Sequence, residues 1–143
     1  QLDDSIGEVK EEAIFNNSNF NFKMPKTLQN YIPTTINWKN LSSGVSTAEL
    51  ISNEDFNLDI YKITSGYKIP KHTHTGYEYT MVIDGGFTDN NKYFGPGDFS
   101  LLDNTNEHSP KADPDKDCYC IVSLDSQIKL TGPIGRLFNF INN

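Results

Sequence analysis

GYKIPKHTHTGYEYTMVIDG, residues 66–85, is the stretch on which the reading of this chain turns. It spaces as Gly66-x5-His72-x-His74-x3-Glu78-x6-Gly85, and the chain has only three histidines, at 72, 74 and 108. Side chains alternate along a strand, so His72 and His74 share one face. Thr75-Gly76 breaks the run, which lets Glu78 sit on the next strand or past a bend. His108 arrives 30 residues later, after a return strand. Imidazole nitrogens and a carboxylate oxygen together form a donor set for a first-row divalent metal. His72, His74, Glu78 and His108 are therefore the candidate metal ligands. A His-x-His pair alone is weak, because most histidines sit in ordinary surface or hydrogen-bonded settings. Here no histidine falls outside the pattern, and glycines flank it where turns are needed.

The chain has 143 residues, enough for one domain with a core of its own. Nine Phe and seven Tyr favour a β-rich interior. A net charge of −7, with no cluster of Lys or Arg, makes nucleic acid a poor partner. No run of eighteen apolar residues exists, so no membrane span is expected. Cys118 and Cys120 are i and i+2 neighbours in DCYCI. On a flat strand their Cα atoms would lie about 6.5 Å apart, near the upper limit for a disulfide, so a bridge would require the strand to bend. The expectation is two buried thiols and a reducing, cytoplasmic setting; a redox role or a soft ligand near the metal is the alternative.

Residues 1–33 read as an N-terminal extension rich in Asn and charge, with a short helix over Glu8–Phe15 and an arm that packs on the barrel or across a dimer through Phe15, Phe20 and Phe22. Residues 34–143 read as the main domain. The period-two pattern predicts strands over Phe56–Thr64, Tyr67–Thr73, Tyr77–Asp84, Phe99–Leu102, Cys118–Leu124 and Ile128–Thr131. Ser65-Gly66, Gly85-Gly86 and Phe94–Asp98 read as turns, and Asn104–Glu107 as the loop that presents His108. On the strand through Glu78, that residue shares a face with Thr80 and Val82, while Tyr77 and Tyr79 face outward. Thr80, Asp103 and Tyr79 are candidates to hold the far nitrogens of the imidazoles, and Val82 and Phe99 to line a pocket. Short strands divided by Gly, Pro and Asn turns describe an all-β antiparallel barrel or sandwich.

The motif resembles the first signature of the cupin superfamily at Gly66, His72, His74, Glu78 and Gly85. Of the second signature, Gly97 and His108 are in place. The Pro-x-Gly step reads Asp103-Asn104-Thr105, and the asparagine usual after the histidine is Ala112. HTHTGYEYTMVIDGGF (72–87), YFGPGD (93–98), EHSP (107–110), CYC (118–120) and LTGPIGRL (130–137) resemble the cupin domain of ChrR-type anti-sigma factors. The resemblance covers about Ile32 to Phe140. It implies an antiparallel jelly roll, zinc as the first choice of metal (with iron, manganese or nickel as alternatives), a homodimer, and a part in the response to oxidative signals. In that family a zinc-binding anti-sigma domain precedes the cupin, but residues 1–35 contain neither Cys nor His. Sigma-factor inhibition is therefore not carried over, and the chain reads as a stand-alone ChrR-like cupin or part of something longer.

Two functions follow. One is a regulatory module that senses a small-molecule ligand or oxidant at a 3-His-1-Glu centre, with a protein partner as its output. The other is an enzyme, a small non-haem metal-dependent dioxygenase. In both, Glu78 either stays as the fourth ligand or swings off as a base.

Overall fold

The structure is a computed structural model that describes residues 12–17, 20–54, 56–125 and 128–130, with side chains described from Lys23 to Asp125. Its regular elements are strands but for one helical turn. In chain order these are β1 (Glu12–Asn17), β2 (Phe20–Pro25), the single-turn α1 (Lys26–Gln29), β3 (Lys39–Ser42), β4 (Val45–Ser52), β5 (Asn57–Ile63), β6 (His72–His74) and β7 (Glu78–Asp84). Then come β8 (Phe87–Asp89), β9 (Lys92–Phe94), β10 (Phe99–Leu102), β11 (Glu107–His108), β12 (Lys111–Ala112), β13 (Cys118–Leu124) and β14 (Ile128–Leu130). Every pairing is antiparallel. The largest sheet runs β10-β7-β13-β5-β4-β3, and two three-stranded sheets, β11-β6-β14 and β12-β8-β9, accompany it beside the β1-β2 hairpin.

The six-stranded sheet is covered on both faces, which explains why its sequence alternates only weakly. One parity packs Val45, Ile63, Val82, Cys118, Cys120 and Val122 with Phe87, Phe94 and Ala112. The other packs Ala48, Ile60, Ile83 and Ile121 with Met24, Ile32 and Ile36 from the segment before the main sheet. A strand buried on both sides is apolar at both parities, so β13 reads CYCIV without a break. The chain before β3 thus supplies part of the core rather than a loose lead: Met24 is 1% exposed.

The expected strands over Phe56–Thr64, Phe99–Leu102 and Cys118–Leu124 are present within a residue or so at each end. Two expectations fail. Glu12–Phe15, the described part of the predicted helix, lies in β1 and pairs with β2 from Glu12↔Pro25 to Asn17↔Phe20. Helix propensity is a weak prior; ladder bonds to an adjacent segment, with β-favouring Ile14 and Phe15, override it. The predicted strand over Tyr67–Thr73 shrinks to His72–His74. Before it, only Lys68 bridges to Lys111, because Pro70 has no N–H to offer a ladder. The β8-β9 hairpin was not anticipated. It turns on Asn90 and Asn91, both at positive φ (46° and 64°), the pair of left-handed residues that a tight hairpin turn needs.

Gly85 closes β7 at φ +70°, and a Cβ there would run into the Asp117 carbonyl. Gly66 has a similar φ of +71°, but a Cβ there would meet only the Pro114 Cα at an ordinary 3.9 Å. Gly66→Ala is therefore expected to cost about 1–2 kcal/mol of backbone strain alone. Gly85→Ala adds a steric clash and should cost about 3 kcal/mol or more. Urea denaturation of the two variants checks the order.

Candidate metal centre

Three short segments bring the four predicted residues together. His72 and His74 project from the same side of β6 and are 4% and 1% exposed. β11 lies against β6 in the register His108↔His72, so His108 arrives beside its partner through strand pairing. The two rings sit 4.2 Å apart, centroid to centroid. Glu78 opens β7 after the bend at Thr75–Tyr77, which Asp125 pins by accepting the Tyr77 N–H at 2.6 Å. One ligand atom from each of the four residues lies within 4.8 Å of all the others.

The donor atoms converge. His74 Nε2 is 3.0 Å from His108 Nε2 and 3.2 Å from Glu78 Oε2. With metal–ligand bonds of about 2.1 Å, neighbouring donors are ~3.4 Å apart in a tetrahedron and ~3.0 Å apart in an octahedron. The observed contacts fall at those spacings. The rings are also held in the right tautomer. His72 Nδ1 donates to the Pro70 carbonyl at 2.8 Å, and His108 Nδ1 faces Asp89 Oδ2 at 3.1 Å. A proton on each Nδ1 leaves each Nε2 with its lone pair for a cation. His74 Nδ1 is buried without a hydrogen-bond partner, so that ring's polar contacts are made through Nε2. The residues present fit a divalent ion.

Burial, then the neighbouring His108, lowers the pKa of both His72 and His74 below the usual 6.5. Both rings are kept in the neutral form that binds metal. Burial pushes the Asp89 carboxyl up, but the hydrogen bond and charge of His108 and the Ser109 N–H outweigh it, and the net shift is down. Asp89 accepts that N–H at 3.2 Å. Thr80 donates to Glu78 Oε1 at 2.9 Å, fixing the carboxylate.

A cavity of about 230 Å3 adjoins the donors. His72, Glu78, His108 and Asp89 front it, with Val45, Ile63, Ile69, Leu102 and Val122 as aliphatic walls. Tyr61 also faces it, its phenol pushed up to about 12 by burial and by the carboxylates of Asp59 and Glu78.

Several expectations about the surroundings are corrected. Thr80 holds Glu78 rather than an imidazole. Asp103 is spent on its own loop, accepting from Thr105. Tyr79 lies 40% exposed on the outer face beside Tyr77 and Phe99, as parity predicts for the tyrosines. Phe99 is 57% exposed, and Ser100 and Leu102, of the opposite parity on β10, face the cavity instead. Val82 is buried in the inner core without fronting the cavity. Asp89 was missed; its one signal is a shared parity with buried Phe87 on β8. Cys118 and Cys120 are free, buried, and 3.5 Å apart at sulfur. Cys120 fronts the cavity, but its hydrogen bond with Cys118 and its burial hold the thiol protonated. Arg136 and the tail through Phe140 lie outside the described residues.

Two outcomes are expected. In metal-free protein, folding resists protonation of His72 and His74, so their contribution to stability falls as pH drops from 6.5 through their lowered values. The urea midpoint should be lower at about pH 5.5 than at about pH 7.5, and a flat profile would contradict this burial. Asp89→Asn should weaken metal affinity about 10- to 100-fold by removing the charge that orients His108, measured by competition with a chelator.

A family profile described as ChrR Cupin-like domain matches residues 29–127. The anti-sigma-E factor ChrR of Cereibacter sphaeroides is 30% identical over 118 residues, which span 80% of this chain and 55% of that protein. The chain thus spans about half the length of this curated relative. The crystal structure of Rhodobacter sphaeroides SigE in complex with the anti-sigma ChrR superposes with a TM-score of 0.60 at 34% identity, covering 63% of this chain and 50% of that one. An RmlC-like cupin from Shewanella frigidimarina (TM-score 0.59, 17% identity, 66% and 86% covered) shares the fold. So does the polyketide cyclase RemF of Streptomyces resistomycificus (0.61, 15%, 70% and 82%). With an all-β antiparallel fold of cupin type and a matched span of this extent, the chain belongs to the ChrR cupin-like domain family.

Proposed function

We propose that this chain is a metal-dependent regulatory module that responds to a small ligand or oxidant. The observation that carries the reading is the convergence of three imidazoles and Glu78, with the outer nitrogens of His72 and His108 already engaged. Zinc is the metal we assign first, since this nitrogen-rich donor set suits it; iron, manganese or nickel are the alternatives. Residues 34–143 form the cupin unit in this reading and 1–33 its arm. The unit works as a homodimer in the cytoplasm and passes its signal to a protein partner. The ChrR relative was crystallised with a sigma factor, which supports a protein output. No helix among the described residues is long and apolar enough to cross a membrane.

The chemistry assigned to each residue follows from its place. His72, His74 and His108 hold the ion through Nε2, and Glu78, steadied by Thr80, supplies charge. When bound, a divalent ion supplies a Lewis acid that accepts an oxygen donor at an open position. β7 belongs to the six-stranded sheet, and β6 and β11 to another. Holding Glu78 together with His72 and His108 therefore ties two sheets, and a ligand that alters this hold alters how the sheets meet. The adjoining cavity also suits a second reading, a metal-dependent dioxygenase. Oxygen consumption by the iron-loaded protein across a panel of small diketones and phenols would favour it over a sensor.

Protein purified without added metal or chelator should carry about one equivalent of divalent metal per chain. His72→Ala or His74→Ala should remove most of it; retention at the parental level overturns the assignment. Glu78→Ala should weaken binding less, because water replaces one of four ligands. At a free metal concentration about a hundredfold above Kd, binding stabilises the fold by about 2.7 kcal/mol. Chelation should then lower the melting temperature by roughly 5–10 °C, read by calorimetry.

A further inference from the structure

Beside the donor atoms, the cavity is small and its surface mostly apolar. Its volume is about 230 Å3. That is below the usual range for drug-sized ligands. Val45, Ile63, Ile69, Leu102 and Val122 supply walls with nothing to hydrogen-bond. Of its polar groups, His72, His108 and Asp89 are 4–8% exposed and thus deep, whereas Leu41, 57% exposed, and its exposed neighbour Ser42 front the same cavity. Leu41 therefore marks the open end.

Charge narrows the class further. No lysine or arginine is among the described residues that front the cavity; the charged ones are Glu78 and Asp89. Two carboxylates and a divalent ion already sum to zero. An incoming carboxylate or phosphate would add an uncompensated charge to an apolar chamber, and an ammonium group would face the ion directly. Both carry a large desolvation penalty that a neutral head avoids. Tyr61, whose phenol keeps its proton, adds a neutral donor to the same wall.

We propose that the cavity binds a small uncharged aliphatic oxygen compound, a ketone or alcohol, with its oxygen toward His72, Glu78 and His108 and its chain toward Leu41. This rests on the metal reading above and names the kind of ligand that site takes.

The test is calorimetric titration of the zinc-loaded full chain with 2-ketones of increasing length, with hexanoate and hexylamine as charged counterparts. Affinity should rise about fourfold for each added methylene, the value of burying one CH2. It should level off once the chain outgrows the cavity. Hexanoate and hexylamine should bind at least about tenfold more weakly than heptan-2-one, since a charge enters uncompensated. Leu41→Trp, a change at an exposed position, should weaken the longer ketones while leaving the metal content at one equivalent. Val122→Phe should do the same from inside. Hexanoate binding as tightly as the ketone, an affinity indifferent to chain length, or full metal content with no ketone uptake would overturn the ligand class and leave the metal reading intact. Protein that takes up no metal overturns both, and elemental analysis separates the two cases.

Discussion

Strand register is the constraint on which the rest of this structure depends. His108 has no sequence relation to His72, yet β11 lies on β6 so that the two residues face each other. Glu78 reaches the same point only because β7 begins immediately after the bend that Asp125 pins. A slip of one residue in either pairing would turn a donor to the opposite face. Such a slip would also drive polar groups into the inner core, where Val82, Cys118 and Cys120 are almost wholly buried. Hydrophobic burial and the clustering of the four side chains thus enforce the same register.

The electrostatics follow from the same burial. Desolvation, and then the neighbouring His108, keeps His72 and His74 neutral. Neutral rings are the ligating form. Pro70 and Asp89 then decide which nitrogen of His72 and of His108 carries the proton. A backbone carbonyl and a carboxylate can only accept, so each leaves the opposite nitrogen free.

Three of the four clustered residues were legible because their spacing is local: a pair at i and i+2 on a strand, then a carboxylate beyond a break; His108 lies 30 residues further on and was legible as the one remaining histidine. The sheet was legible where polar and apolar residues alternate, as over Glu78–Asp84. Its limits were set by non-local effects. Glu12–Phe15 carries helix-favouring charge, but pairing with Phe22–Pro25 decides its state. Pro70 lacks the N–H that a ladder needs, so the strand is shorter than the period-two pattern predicts. Phe-Ser-Leu-Leu at 99–102 does not alternate, so neither parity could be assigned from it. Asp89 reaches His108 only through the Asn90-Asn91 hairpin and the pairing of β8 with β12, a path no single stretch records.

One property of the cavity bears on how relatives of this chain can diverge. The donors stand on β6, β7 and β11, whereas its aliphatic side chains at Val45, Ile63, Leu102 and Val122 come from β4, β5, β10 and β13. In the proposed reading, anchoring and selectivity fall to separate strands. Mutational drift on the second set can remould what enters while the first stays fixed, so one scaffold can acquire new chemical tastes without rebuilding its centre.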